Sequence, residues 1–400
     1  MVQRAHVIRL YPSGHQESLM RRACGVSRKA FNVMLDMWGE QYKAGEKPNW
    51  MKIQAAFVAR IDTEFPYMRE LDSAVYYQPA RHLNTAFIQF FKKNSKYPKF
   101  KKRGQHDSFK CMRAVHEGRR VKIPKIGWMR TSELPRFAGR IISATISRVA
   151  DTWEISLLWE TDEAIVRQCK APRPAVGVDL GIKTAMTLST GETFEAPKPL
   201  KGAFKRLKRA QRRLARTQKG SKRSQAQRTR VARIHRRIRN IRKDFSHKAT
   251  SKIADENQVI VLEDLNVRGL LKNHSLARAI CDVGFFELRR QLEYKAADRG
   301  GTVLYADRFF PSSRMCRKCE HIHEGLTLAD RTFCCPVCGH TEDRDLHAAK
   351  NLEAITTTQA HWGSNGRGEA KAIGRRKTKR ASSAKRQLAH LLDSSGGPQD

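Results

Sequence analysis

Hydrophobic positions along this chain repeat with two periods, and the switches between them set out the architecture. The segment Val7-Ile8-Arg9-Leu10-Tyr11 predicts an opening strand, ended by Pro12-Ser13-Gly14. From about residue 15 to 103 the period becomes helical. Leu19, Cys24, Val26, Ala30, Phe31, Val33, Met34, Leu35 and Met37 recur at spacings of about three and four, and residues 73–93 give a second amphipathic helix. Residues 121–160 return to strands. Arg140 to Val149 and Trp153 to Glu160 flank Ala150-Asp151-Thr152, a hairpin signal. With Val7–Tyr11 these strands predict a small β-barrel into which the helical block is inserted. Cys169 to Pro174, with Pro172 and Pro174, predicts a boundary.

Beyond it, Ala175, Val176 and Val178 form a buried strand that delivers Asp179 to its end, where Gly181 lets the chain turn. A second strand-like run covers 184–189. Then Phe204, Leu207, Ala210 and Leu214, and Val231, Ile234, Ile238, Ile241 and Phe245, mark two helices broken at 217–221. This reads as a helical hairpin, apolar inside. Residues 258–266 form another buried strand ending in Glu263-Asp264. Residues 282–299 predict a helix with Phe285, Leu288 and Leu292 on one face, and 302–305 a strand. The order gives an α/β core within a multidomain α/β chain. The tail from about Ile355, with Arg375-Arg376-Lys377 and a Ser/Gly-rich end, reads as disordered.

Charge changes this picture. Four hundred residues carry 78 Lys+Arg against 39 Asp+Glu, a net +39. Residues 201–248 hold 20 Lys+Arg and one acid, Asp244. A face so one-sided repels itself without a polyanion, which points to nucleic acid. On the hairpin the candidate contacts are Arg206, Arg209, Arg213, Arg236 and Arg237. A basic, aromatic turn, Lys96-Tyr97-Pro98-Lys99-Phe100-Lys101-Lys102-Arg103, adds Lys99, Lys101, Lys102 and Arg103, with rings suited to stacking. No apolar run approaches the ~20 residues of a spanning helix, and the first residues lack a signal peptide's apolar stretch. These features predict a soluble protein of a reducing, cytoplasmic compartment.

Nine cysteines, five of them within 316–338, argue for metal over disulfides. Cys316-Arg317-Lys318-Cys319 and Cys335-Pro336-Val337-Cys338 are paired knuckles separated by 15 residues. Their four thiolates suit one structural zinc. Cys334 rivals Cys335, but only Cys335 leaves two residues before Cys338. Gly339 follows the second knuckle, where positive φ is often needed, and Glu320 holds the matching place in the first. Just beyond, residues 342–352 predict a helix N-terminus. Asp179, Glu263 or its neighbour Asp264, and one of Asp343 or Asp345 are three acids from separated segments. Such a cluster suits two Mg²⁺ ions for phosphodiester hydrolysis.

In order and together, several motifs resemble the TnpB (OrfB) family of transposable elements, RNA-guided nucleases related to type V CRISPR effectors. They are Val7-Ile8-Arg9-Leu10-Tyr11-Pro12, Tyr97-Pro98-Lys99-Phe100-Lys101, Gly177-Val178-Asp179-Leu180-Gly181-Ile182-Lys183, Leu262-Glu263-Asp264-Leu265-Asn266, Pro311-Ser312-Ser313, the two knuckles and Asp343-Arg344-Asp345. The likeness covers roughly residues 4–355. It implies a RuvC-like core of RNase H fold at 171–308 and 341–356, including the basic hairpin at 201–248. It implies a zinc ribbon at 309–340, a wedge barrel at 1–13 and 104–170, a helical recognition domain at 14–103, and leaves a basic tail at 357–400. It selects Asp179, Glu263 and Asp345 as catalytic acids and Mg²⁺ ligands. It implies a guide RNA from the element's end, double-stranded target DNA cut beside a short motif, and a monomer bound to RNA. By the same likeness Tyr76, Tyr77 and Gln78 are candidates for contact with that motif. The family usually carries Asn two residues after the last acid. Here it is His347, an imidazole that can still hydrogen-bond near the metal, so activity is expected, and this is the first position to examine for impairment. The competing readings are a transposase acting directly on element ends and a nuclease-impaired RNA-guided repressor.

Overall fold

A computed structural model describes residues 2–161, 173–327 and 329–363. The chain divides into two units: residues 1–166 with 199–241, and 167–198 with 242–400. The basic hairpin is therefore split at Ile241. Among the described residues no helix is long and apolar enough to cross a membrane.

The first unit joins a helical layer to an antiparallel sheet. Strand β1 (Val2–Tyr11) leads into α1 (Gly14–Lys43). Ser13 caps α1 reciprocally: its Oγ accepts the Gln16 N–H, and the Gln16 side chain accepts the Ser13 N–H at 3.0 Å. Then come α2 (Trp50–Ala59), α3 (Ile61–Glu64), a 3₁₀ turn (Pro66–Glu70) and α4 (Ala74–Phe91). Trp38 of α1 stacks on Phe87 of α4 with centroids 4.0 Å apart. Strands β2 (Ser108–Cys111), β3 (Val115–Glu117), β4 (Arg120–Ile123), β5 (Gly127–Thr131), β6 (Arg140–Val149) and β7 (Thr152–Thr161) complete the sheet. Its order is β2-β6-β7-β1-β5-β4-β3. The expected hairpin is present, Val149 pairing Thr152. Inward Ile8 and Leu10 alternate with outward Val7 and Arg9, and Trp153, Ile155, Leu157 and Trp159 face the same core.

Helix α5 (Pro199–Ala215) and the first part of α6 (Lys222–Glu256) form the helical hairpin. Its seam is Ala203, Leu207, Ala210, Ile234 and Ile238. Phe204 and Ile241, placed in the stripe by spacing, are exposed instead. Ala203 takes the inner position instead.

The second unit is built on a mixed sheet. Strands β8 (Arg173–Asp179), β9 (Met186–Leu188), β10 (Thr193–Phe194), β11 (Asn257–Glu263) and β12 (Thr302–Ala306) lie in the order β10-β9-β8-β11-β12. The β8–β11 and β11–β12 pairs are parallel, the others antiparallel. Between β11 and β12 run α7 (Val267–Leu270), α8 (Ala277–Val283) and α9 (Phe285–Ala297). The predicted helix at 282–299 is thus two, broken where Gly284 adopts φ +76°. Strands β13 (Thr332–Cys334) and β14 (Thr341–Asp343) form a small ribbon, and α10 (Arg344–Gly363) closes the unit. The helix passes Ile355, so the predicted tail begins later than its composition indicated. Residues 364–400 and the boundary at 169–172 lie outside the described residues.

Helices cover both faces of this sheet. Ile260 and Leu262 pack with Ile253 of α6 and with Leu288 and Leu292 of α9. Val261, with Val259 at its edge, packs with Leu352 of α10 on the opposite face. Burial on both faces explains why β8 and β11 read as nearly continuous apolar runs.

Candidate active site and metal centre

Strand parity decides where the acids point. Along β8, Val176 and Val178 enter the α9-side core, so Gly177 and Asp179 belong to the α10 face. Along β11, Val259 and Val261 share the α10 face, and Glu263 follows in the same parity. Val178 pairs Leu262 in parallel register, so Asp179 and Glu263 end neighbouring strands, a spacing of about 4.8 Å. The carboxyl ends of parallel strands are the usual place for a site in such sheets.

The third acid arrives on the helix. A Cβ on Gly177 would lie 1.9 Å from the Ala349 carbonyl oxygen and 2.6 Å from the Glu353 nitrogen. Only glycine therefore lets α10 lie this close to β8. Asp345 precedes Ala349 by four residues, about 6 Å along a helix. Asp179 follows Gly177 by two, about 6.6 Å along a strand. The two acids therefore end at the same level. Burial, then the charges of Glu263 and Asp345, push the Asp179 carboxyl from 3.8 up to about 8, with Arg344 pulling weakly the other way.

The neighbouring acids are otherwise engaged. Asp264 pairs with Arg289 at 3.3 Å and Arg308 at 2.7 Å. Asp343 accepts the N–H groups of Asp345 and Leu346, both at 3.0 Å, capping α10 from the end of β14. The helix therefore starts at Arg344, not Glu342. Glu263 instead accepts the Ser312 hydroxyl. Arg344 lies 3.3 Å from Asp345. Ser312 and Arg344 went unassigned in the sequence, although both sit inside the motifs singled out there. Three hard carboxylate oxygens, whose burial and mutual repulsion raise the Asp179 pKa, form a donor set that fits a divalent cation such as Mg²⁺.

His347 lies elsewhere. It is fully buried, stacked on Phe333 at 4.0 Å, with Nε2 2.7 Å from the Met315 carbonyl and Nδ1 3.3 Å from Glu342. Burial lowers its pKa. Its two nitrogens meet groups of the ribbon rather than the acids. As the fourth residue of α10, His347 faces inward toward Phe333 of β13 and away from the acids.

The four-cysteine cluster is tighter than the acid cluster. The Sγ atoms of Cys316, Cys319, Cys335 and Cys338 all lie within 4.8 Å of one another. Cys316–Cys338 and Cys319–Cys335 are each 3.5 Å apart. A tetrahedral ion with ~2.3 Å metal–sulfur bonds needs about 3.8 Å between sulfurs, so the thiols fit one. The knuckles match: Cys316 N–H donates to His321 O and Cys335 N–H to His340 O, both at 2.8 Å. Glu320 and Gly339 have φ +58° and +69° at equivalent places. The Cys334 sulfur instead accepts from Thr341 Oγ1. The backbone N–H of Cys338 draws Cys335 down to about 6. The His321 N–H pulls Cys319 down too, but burial and the other sulfurs outweigh it and raise it to about 12.

The nucleic-acid candidates divide. Lys99, Lys102, Arg103, Arg206, Arg209, Arg213 and Arg237 are exposed. Lys101 holds its ammonium 4.1 Å over the Phe31 ring. Arg236 is half-buried, bonded to Asp151 at 2.7 Å and Thr152 at 2.9 Å within its own unit. Tyr76 is only 2% exposed and packs in the core, leaving Tyr77 and Gln78 partly accessible.

Family models match three stretches: "Probable transposase" over 156–274, "Cas12f1-like, TNB domain" over 285–352 and "Helix-turn-helix domain" over 1–47. The last stretch is here a strand and one uninterrupted helix. A Streptomyces pristinaespiralis protein named "Putative RNA-guided DNA endonuclease" is 37% identical, over 88% of this chain and 89% of its own length. The chain belongs to the TnpB (OrfB) family. Another relative of this TnpB-family chain is "Putative RNA-guided DNA endonuclease InsQ" of Escherichia coli (strain K12), 33% identical over 88% of this chain and 91% of the relative. Among solved structures, that of CasPhi-2 (Cas12j) bound to crRNA aligns at 11% identity over 89% of this chain and 98% of the other, with a TM-score of 0.43. That score is too low to bear on mechanism.

Proposed function

We propose that this TnpB-family chain is an RNA-guided DNA endonuclease that cuts double-stranded DNA beside a short motif, using Asp179, Glu263 and Asp345. The observation that carries the reading is the convergence of these acids on the α10 face of the sheet, with Asp179 pushed up to about 8 by burial and the other two. The names borne by its relatives support the guided, DNA-cutting part. Two Mg²⁺ ions bound there would supply an activated water and countercharge for the leaving oxygen. Asp179 and Glu263, fixed at strand ends, would hold the ions; Asp345 would complete the set from α10. Ser312 orients Glu263 by donating to one of its oxygens. In this reading the cysteine cluster is a zinc ribbon that closes the chain between β12 and α10. The seven-stranded sheet serves as the wedge barrel and the α1–α4 layer as the recognition domain. The exposed arginines of α5 and α6 meet the nucleic-acid backbone.

The test is co-purification of the full chain with its RNA, sequencing of that RNA, and cleavage of a matched plasmid in Mg²⁺. The expected result is a defined guide and cleavage lost in Asp179→Ala. Absence of bound RNA overturns the guided reading. Cleavage that survives Asp179→Ala overturns the acid assignment.

A further inference from the structure

Three side chains beside the cysteine knuckles are unclaimed by the nuclease reading. His340 follows the second knuckle, Glu342 lies on β14 and His347 on α10. One donor atom from each lies within 4.8 Å of the others. Glu342 Oε2 is 3.3 Å from His347 Nδ1 and 3.8 Å from His340 Nε2. The tautomer of His347 follows from its other side. Nε2 faces the Met315 carbonyl at 2.7 Å, and a carbonyl only accepts, so Nε2 carries the hydrogen. In the neutral ring the Nδ1 lone pair then points at a carboxylate, which cannot donate to it. His340 Nε2 is buried and makes no hydrogen bond. The Lys350 ammonium holds the other Glu342 oxygen, Oε1, which turns Oε2 toward the two rings.

A lone pair, a carboxylate oxygen and a ring nitrogen that makes no hydrogen bond, gathered within 4.8 Å, make a donor set suited to a cation. We propose that His340, Glu342 and His347 form a second metal site, for a late first-row divalent ion such as zinc. Imidazole nitrogen with carboxylate oxygen is the donor chemistry those ions favour, and three protein ligands leave a position for water. Bonds of ~2.0–2.1 Å at tetrahedral angles need ligand atoms about 3.4 Å apart. His347 and Glu342 already meet that spacing, and His340 must close on Glu342 by about half an ångström. The Met315 carbonyl on His347 Nε2 is the outer hydrogen bond that fixes a ligating imidazole. The site joins β14 to α10, and it stands or falls independently of the nuclease reading.

The test uses untagged full-length protein with zinc in the cysteine cluster, titrated with Co²⁺. With excess Mg²⁺ present to occupy the carboxylates, the expected result is one cobalt per chain bound through imidazole, with a d–d spectrum lacking thiolate charge-transfer bands. His340→Ala and Glu342→Gln should lose that equivalent while each keeps its one zinc, which reports that the ribbon has folded. Asp179→Asn should keep it, which separates the site from the acid cluster. Cobalt uptake unchanged in His340→Ala, or abolished by Asp179→Asn, overturns the proposal. So does wild-type protein that shows no paramagnetically shifted imidazole proton signals with Co²⁺, whatever the variants do.

Discussion

The cysteine cluster and the carboxylate cluster lie in the same unit and pose the same electrostatic problem, yet the chain solves it in two ways. Four sulfurs are supplied by two neighbouring knuckles of one design, and local backbone N–H groups bring them within 4.8 Å. The three carboxylates come from β8, β11 and α10, and they are held by a sheet register and a helix packing distance. The first set is a local solution, the second a long-range one. A local site draws its ligands from one short stretch of chain. A long-range site exists only when the whole sheet does.

Replacing ligands of each set should expose this difference, and the largest effect belongs to the cysteines. Structural zinc contributes about 10–16 kcal/mol to isolated finger folds. Cys335→Ser should abolish amide protection across β13 and β14 in hydrogen exchange while the β8–β11 pair stays protected. Equal loss in both would break the comparison. Next, Asp179→Asn should cut cleavage about a thousandfold or more, the scale seen when a catalytic group is removed, with the fold retained. Third, Gly177→Ala should cost about 3 kcal/mol in chemical unfolding, because its Cβ would overlap the Ala349 carbonyl. Such a variant should also lose activity if α10 sets the position of Asp345.

The pH dependence sharpens the same point. Asp179 titrates near 8 in the folded chain against an ordinary 3.8. Between those values the metal-free folded state keeps a proton that the unfolded state has released. Its stability should therefore fall as pH rises from about 4 to about 8, and level off above. Thermal melts of the zinc-loaded protein without added Mg²⁺ should show that slope, flattened in Asp179→Asn and offset by Mg²⁺. The smallest effect is expected at Glu320, at φ +58°. Glu320→Gly should raise stability by about 1 kcal/mol, since a left-handed position strains any residue with a Cβ.

The same division explains what could be read in the sequence. The knuckles, the strands β1, β6, β7, β8 and β11, and the choice of Cys335 over Cys334 follow from spacing alone, because their determinants lie within a few residues. Periodicity could not choose between Phe204 and Ala203, since a helix rotated by one position keeps much of the stripe. Nor could it place Tyr76, whose core position is set by packing against distant residues. Periodicity alone left Glu263 and Asp264, and Asp343 and Asp345, undistinguished, and only the family resemblance chose between them; that Asp264 pairs with Arg289 and Arg308 and Asp343 with two N–H groups is not visible locally. Strand parity was legible in principle at Gly177-Val178-Asp179, but its meaning depends on α10, far along the chain. His347 is the clearest case. A substitution beside the acids on paper is, in space, part of the ribbon's packing.

The two-residue step from Gly177 to Asp179, matched by the four-residue step from Asp345 to Ala349, restricts length as well as identity. One residue inserted in either step would turn an acid to the wrong face or lift it off its level, though every side chain stayed the same. The connections from β10 to β11 and from β12 to α10 face no such restriction, and they are where the hairpin and the ribbon stand. Divergence within this lineage should therefore gather insertions and deletions in those two connections and leave the counts inside the motifs unchanged.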